Sequence, residues 1–335
     1  MIINPATGNR CLSTLRESSG KPYSRGAITQ LWNGRKVSPV LDFDLPEFHR
    51  YRRENANRIS ISGVQDKVSV KIEGGKLVPT KKGGEYIIKP IPSTPGLVFQ
   101  DQVPANEHIT MQIASQVAGV SVPPNGLVFF PDGSPAYIVK RFDRNFLTGG
   151  KLHQEDFCQL SERTQTTHGR NYKYDGSYEE VGQILKKYCP SYAIEIEKLF
   201  RLILFNYLVG NGDAHFKNFS LSETPLGDFA LSPAYDLLNT SLHIPTESRA
   251  ALDLFSDDYE MDSFRKLGFY SAVDFKELAQ RFGMKETRAQ RMISELAGKE
   301  PDACELLDRS FLSSEAKSAY RTVIEDRFKA VEQGV

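Results

Sequence analysis

The chain has 335 residues, 40% hydrophobic and 25% charged, the make-up of an ordinary globular protein with room for one large domain or two joined ones. Its 42 basic side chains balance 42 acidic ones, so it has no global electrostatic footprint for nucleic acid or an anionic membrane. Four scattered cysteines with no C-x-x-C pair suggest neither zinc nor a disulfide framework, and with no apolar core in residues 1–10 the expected location is cytoplasmic.

Residues 1–58 carry little periodicity. Ser24-Arg25-Gly26 and Asn33-Gly34 read as turns, and residues 49–53 as a solvated helix face. From Val68 the pattern changes to short alternating runs at 68–72, 77–78 and 86–88. They are divided by Gly74-Gly75 and Gly83-Gly84, which predicts an antiparallel meander. Residues 106–117 place Ile109, Ile113 and Val117 on one helical face, and Gly119 with Pro123-Pro124 ends that helix. A hairpin follows, 127–130 and 137–139 around Pro131-Asp132-Gly133, and then a polar crossover at 140–144. Beyond it the chain reads as mostly helical, with a buried helix at 199–209 and periodic stretches at 275–284, 289–296 and 316–330. The expected fold is α+β in two lobes: a β-rich N-lobe over 1–140 and an α-helical C-lobe over 141–335.

Chemistry concentrates where the buried helix ends, in Gly210-Asn211-Gly212-Asp213-Ala214-His215-Phe216-Lys217-Asn218. Asp213 and Asn218 have the spacing of a protein-kinase catalytic loop, in which the Asp meets the acceptor hydroxyl and the Asn holds Mg²⁺ on the nucleotide. Lys217 would neutralise charge on the transferring phosphoryl group. The same residues also suit an Asx-rich capped turn. Downstream, Asp236 is expected at the end of a strand as a second metal ligand, against a plain helix N-cap. Lys89 ends the strand Tyr86-Ile87-Ile88-Lys89, and Glu107 opens the next helix. Kinases pair such a lysine and glutamate over the nucleotide phosphates, whereas Glu107 by itself suits a helix dipole. Ahead of the sheet lies Ser60-Ile61-Ser62-Gly63-Val64-Gln65-Asp66-Lys67. It is no G-x-G-x-x-G, but Gly63, Val64, Gln65 and Lys67 offer an anion nest and a positive charge. The order of these elements matches that of a kinase, so the two lobes are expected to form a protein-kinase-like fold.

Several blocks together resemble the HipA family of bacterial toxin kinases. They are Ser62-Gly63-Val64-Gln65-x-Lys67, Tyr86-Ile87-Ile88-Lys89-Pro90, Val139-Lys140-Arg141-Phe142-Asp143-Arg144, His153-Gln154-Glu155-Asp156-Phe157-Cys158-Gln159, Gly212-Asp213-Ala214-His215-x-Lys217-Asn218 and Pro233-x-Tyr235-Asp236. The resemblance covers roughly residues 58–240. It implies that Asp213 is the catalytic aspartate, that Asn218 and Asp236 are metal ligands, and that Lys89 contacts the ATP phosphates. It also implies that Lys140 and Phe142 lie at the adenine hinge through their backbone, with Gln154, His215 and Tyr235 lining the nucleotide pocket. The implied cofactors are ATP and Mg²⁺, and the implied activity is phosphorylation of serine in proteins, with aminoacyl-tRNA synthetases as family targets. The segment before the core is short, which resembles the HipT-type branch. That branch implies a HipS-like small protein and a HipB-like DNA-binding antitoxin as partners. Ser60 and Ser62 stand just before the expected phosphate loop, and the resemblance to HipA relatives implies autophosphorylation of one or both.

Two other readings compete. A small-molecule or lipid kinase would use the same residues. A DNA-binding regulator would use residues 278–292, which superficially read as helix-turn-helix but are explained by packing of Leu278, Phe282 and Met292. Neither direct nucleic-acid binding nor membrane association is expected. Residues 164–178, polar and containing Gly169 and Gly176, are expected to be a mobile stretch near the substrate site.

Overall fold

Ser24 caps a helix rather than opening a turn. Its hydroxyl accepts from the Ala27 N–H at 3.3 Å, and α1 (Arg25–Trp32) ends at Asn33 in the left-handed conformation. The computed structural model describes residues 9–54, 66–144, 150–224 and 226–333. After α2 (Leu45–Glu54) come β1 (Val68–Glu73), β2 (Lys76–Pro79), β3 (Tyr86–Pro90), α3 (Val103–Gln116), β4 (Asn125–Phe129) and β5 (Pro135–Lys140). Next are β6 (Gln154–Asp156), α4 (Phe157–Leu160), α5 (Gln165–His168), α6 (Tyr178–Tyr188), α7 (Tyr192–Leu208), β7 (Ser220–Glu223) and β8 (Phe229–Leu231). The chain closes with α8 (Asp262–Leu267), α9 (Ala272–Arg281), α10 (Glu286–Ala297), α11 (Glu300–Asp308) and α12 (Ser314–Glu332). None of the described helices is long and apolar enough to cross a membrane.

Two compact units form. The first takes Met1–Ile113, Pro123–Gly150 and Glu305–Lys317; the second takes Ala114–Val122, Lys151–Cys304 and Ser318–Val335. In the first unit the five strands are antiparallel, but their order is β2-β1-β3-β5-β4, not a simple meander. β2 exposes Lys76 at one edge, β3 is almost wholly buried at the centre between β1 and β5, and β4 is buried throughout at the other edge, where Val40 bridges to Phe129.

Alternation along β3 sorts its side chains. Tyr86 and Ile88 join a core with Val68, Val70, Ala136 and Ile138, so Lys89 falls on the opposite face. The partner layer for that core comes from the N-terminal residues that look least structured in sequence. Trp32 packs against Tyr86 and Tyr23 with ring centroids 5.1 and 5.3 Å apart, and Leu12, Leu31, Leu41, Phe43 and Phe48 fill in around them.

The second unit is built around α7, whose Leu199, Phe200, Ile203, Leu204 and Phe205 are buried. It starts earlier than the apolar run alone indicates, because Glu195 and Ile196 are buried with it. A small antiparallel sheet, β6-β7-β8, lies in the same unit. α9 and α10 form the helix pair that superficially suggested DNA binding. Their Leu278, Phe282, Ala289, Met292, Ile293 and Leu296 are buried. Arg281 pairs with Glu179 and Glu277, each at 2.8 Å, and Arg288 with Glu197 at 2.9 Å, so these cations are already engaged by carboxylates of the unit.

Candidate functional site

Two groups of polar residues stand out, one in each unit. In the first, the free face of β3 carries Lys89. Its Nζ lies 2.6 Å from Glu107 Oε1 on α3 and 5.6 Å from the centroid of the Tyr137 ring. Both partners are buried, at 8% and 3% side-chain exposure. Charges so deeply desolvated are costly unless paired, and they lie 18 positions apart in sequence. The Lys140 side chain turns instead to the end of α1, where its ammonium donates to the Gln30 carbonyl at 3.1 Å and to Asn33 Oδ1. Phe142 is partly buried in the crossover, where Arg141 and Asp143 form a bidentate pair. Lys67 is partly buried. The neighbouring Asp66 is held by Arg52 at 3.0 Å. Ser60, Ser62, Gly63, Val64 and Gln65 lie outside the described residues.

The second group is the loop after α7. Gly210 takes φ +72° and lets the chain leave the helix sharply. Asn211 folds back, its N–H on the Asn206 carbonyl and its amide on Asn206 Oδ1, both at 2.9 Å. Gly212 admits no side chain, since a Cβ there would lie 2.6 Å from the Ser248 carbonyl and 2.7 Å from Glu247 Oε2. Its N–H donates to Thr240 Oγ1 at 2.8 Å. These contacts present Asp213 with its carboxylate 46% exposed, the open acid of an otherwise tied-down loop.

Around Asp213 the partners are specific. The Tyr174 hydroxyl donates to Asp213 Oδ1. His215 Nε2 lies 3.8 Å from the same oxygen. Burial pushes the His215 imidazole down to about 4, outweighing the Asp213 charge, so at neutral pH this contact joins a neutral ring to a carboxylate. Asn218 Oδ1 accepts from the His215 N–H at 3.1 Å and closes the turn from the other end. Burial, opposed by a Thr240 hydrogen bond and reinforced by the Asp213 charge, holds the Glu247 carboxyl above its ordinary range.

Lys217 is directed elsewhere: its Nζ lies 3.4 Å from Asp156 Oδ2, and its carbonyl accepts from the Tyr235 hydroxyl at 2.9 Å. Gln154 on β6 donates to Ser220 Oγ on the paired strand β7 at 2.9 Å. Asp236 is not at a strand end. β8 stops at Leu231, Pro233 has no N–H to extend a ladder, and the Ala234 N–H donates to the Ser121 carbonyl at 2.7 Å. Nor does Asp236 cap a helix; it sits at φ +56°, a costly conformation for a residue with a Cβ.

Within residues 164–178 the first half is exposed, and the contacts gather at its start and towards its end. Thr164 caps α5, the Phe216 N–H donates to the Lys173 carbonyl at 3.1 Å, and the Tyr178 hydroxyl donates to the Ala214 carbonyl at 3.0 Å. The Arg163 guanidinium lies 4.3 Å from the Phe216 ring centroid and pairs with Glu180 at 2.8 Å. Tyr174, Tyr178, Thr240 and Glu247 carry no local pattern that links them to Asp213. The polar stretch with Gly169 and Gly176 inside it was the only sequence hint.

The buried histidines set a pH dependence. His108, whose Nε2 donates to the Ser13 carbonyl at 2.7 Å, is likewise pushed down to about 4 by burial. An unfolded histidine titrates near 6.5, so between about pH 6.5 and 4 the unfolded chain binds more protons than the folded one. Stability is therefore full at pH 7 and falls as pH drops through that window, by about 1.4 kcal/mol per pH unit for each histidine. Urea unfolding at pH 7.0, 5.5 and 4.5 should show the loss, and His215→Asn should flatten the dependence of the second unit. A level profile would mean that the rings are not buried neutral.

Comparison with known proteins fits this arrangement. The family model described as "HipA-like C-terminal domain" matches residues 59–304. A Haemophilus influenzae protein named "Putative kinase" is 26% identical over 93% of this chain and 91% of its own length. A Sinorhizobium fredii protein, "Putative kinase Y4dM", is 36% identical over 64% of this chain and 53% of its own. The Shewanella oneidensis "Serine/threonine-protein kinase toxin HipA" is 27% identical over 62% of this chain and 48% of its own, so the chain spans only about half the length of these last two relatives. Among solved structures, the Shewanella oneidensis HipA, HipB and operator DNA complex contains a chain that superposes with a TM-score of 0.62 at 24% identity, over 96% of this chain and 77% of that one. The Helicobacter pylori proinflammatory kinase CtkA superposes at 0.52 and 14% identity, over 79% of this chain and 94% of its own. These likenesses show a shared fold, mixed α and β and kinase-like, and with the family model spanning well over half of the sequence the chain belongs to the HipA-like C-terminal domain family.

Proposed function

We propose that this protein is a serine/threonine protein kinase of the HipA type that transfers the γ-phosphate of ATP. The observation that carries the reading is the Asp213 carboxylate, half-exposed on a loop whose neighbours are tied down, with Asn218 closing the same turn. Asp213 would accept the proton of the attacking hydroxyl, and Lys89, oriented by Glu107, would hold the nucleotide phosphates. Neutral His215 would shield Asp213 on one side without adding charge. Gly63, Val64, Gln65 and Lys67 are assigned to the phosphates, and the backbone of Lys140 and Phe142 to adenine. Since the Lys140 side chain is engaged with α1, that assignment does not need its ammonium.

Mg²⁺ is the metal the family implies. Among the described residues no cluster of three His, Cys, Asp or Glu side chains could cage a metal. Asn218 and Asp236 supply hard oxygen donors, and Mg²⁺ ordinarily takes one or two protein oxygens and completes its shell with phosphate and water. The residues fit that habit. The metal would offset charge on the β- and γ-phosphate oxygens.

The shorter HipT-type branch, with a HipS-like small protein and a HipB-like DNA-binding protein as partners, remains our assignment. So do an aminoacyl-tRNA synthetase as substrate and self-phosphorylation at Ser60 or Ser62. The HipA chain in the Shewanella oneidensis complex lies with HipB and operator DNA, which supports a partner of that kind. γ-labelled ATP added to bacterial lysate should label one major protein together with the kinase itself. Mass spectrometry should place the self-label on Ser60 or Ser62, and Asp213→Ala should remove both labels. Label confined to small molecules would overturn the protein-kinase reading.

A further inference from the structure

We propose that Tyr174 occupies the acceptor position on Asp213 and thereby makes the enzyme select a protein hydroxyl over water. The inference rests on Asp213 being the base. A base must lie within hydrogen-bond reach of the proton it takes, and here the hydroxyl in that place belongs to the chain itself: Tyr174 donates to Asp213 Oδ1.

The surroundings fix the ring and keep the hydroxyl a donor. Tyr174 meets His215 edge-on with ring centroids 4.9 Å apart, and the Lys173 ammonium lies 4.7 Å from the Tyr174 centroid. Burial and the adjacent Asp213 charge raise the Tyr174 pKa, so its oxygen stays protonated. A water molecule cannot hydrogen-bond to the same Oδ1 position while the phenol is there.

The residue is also displaceable. Tyr174 is 36% exposed, Gly169 and Gly176 on either side take φ +73° and +137°, and residues 165–171 are all exposed. Moving this stretch uncovers little apolar surface, so a protein substrate that brings contacts of its own can replace the phenol. A lone water brings none. In the hydrolysis that this arrangement suppresses, a water oxygen bonds to the γ-phosphorus, the bond from that phosphorus to the β–γ bridging oxygen breaks, ADP leaves and the water proton passes to Asp213.

Tyr174→Phe keeps the ring and opens space of about one water at Oδ1. Two measurements test the proposal. Without nucleotide, trypsin should cut after Arg170 or Lys173 about fivefold or more faster in Tyr174→Phe and in Asp213→Ala than in wild type, since either change removes a hydrogen bond to a charged group. With ATP and no protein acceptor, Tyr174→Phe should hydrolyse ATP about tenfold faster than wild type, and the Tyr174→Phe, Asp213→Ala double variant should not hydrolyse it. Equal cleavage and equal hydrolysis, alongside Asp213-dependent labelling of protein by wild type, would overturn the role of Tyr174 and leave Asp213 standing. Labelling that survives Asp213→Ala would overturn both.

Discussion

Asp213→Ala should lower phosphoryl transfer by about 10²–10⁴-fold, the usual contribution of a positioned general base, while nucleotide binding persists. The expectation follows from the loop. Asp213 is half-exposed, and apart from the Tyr174 hydrogen bond, whose loss loosens that exposed stretch locally, its side chain supports little of the fold. The turn is held by Asn211, Gly212, His215 and Asn218 through contacts that do not use the Asp213 carboxylate: Asn211 to Asn206, the Gly212 N–H to Thr240, and the His215 N–H to Asn218. Stability should therefore change by about 0.5 kcal/mol or less, as for most exposed positions. Calorimetry with ATP should give an affinity near wild type. Expression of the wild type should arrest bacterial growth where the variant does not, if the toxin assignment holds. Transfer at wild-type rate in Asp213→Ala would remove this residue from the chemistry.

Glu107→Ala should destabilise the first unit by about 3–5 kcal/mol, because it breaks an ion pair that is almost completely out of water. Lys89 would lose its closest carboxylate, and its ammonium would no longer be fixed towards the nucleotide. ATP affinity should fall with stability. The two effects separate in a double variant. Replacing a buried pair by apolar side chains of similar volume is often neutral or better for stability. Lys89→Met with Glu107→Leu should therefore recover most of the lost stability in urea unfolding and none of the transfer. Should the double variant regain activity, the pair is structural only. An unchanged unfolding midpoint in Glu107→Ala would contradict the burial of the pair.

The sequence by itself determined the local elements and the order of the chemical groups. Alternation at 68–72 and 86–88 gave strands, and helical spacing gave α3, α7, α9, α10 and α12, with most edges off by a few residues and α7 starting at Tyr192, well before the apolar run at 199. Asp213 and Asn218 lie on one tight turn, as their spacing implies. Lys89 and Glu107 meet because strand alternation turns Lys89 away from the Tyr86 and Ile88 face. These are properties of neighbours along the chain, and period and spacing encode them.

Tertiary structure decided the rest. Only packing shows that residues 9–54 cover one face of the sheet, since Trp32 and Phe48 gain their role from Tyr86 and Phe130, far along the chain. Strand order was likewise not local, because β3 pairs with β5 across the intervening helix and β4, and β4, buried throughout, lies at an edge beside residues 39–41. Lys217 turning to Asp156, Lys140 to the end of α1 and Asp236 to positive φ are each set by partners or strain that spacing does not reveal. The contact between Tyr174 and Asp213 joins residues 39 positions apart, one in a polar stretch without periodicity. No local preference specifies such a pair; it exists because the turn after α7 and the residues before α6 fold onto each other through Phe216, Tyr178 and Arg163.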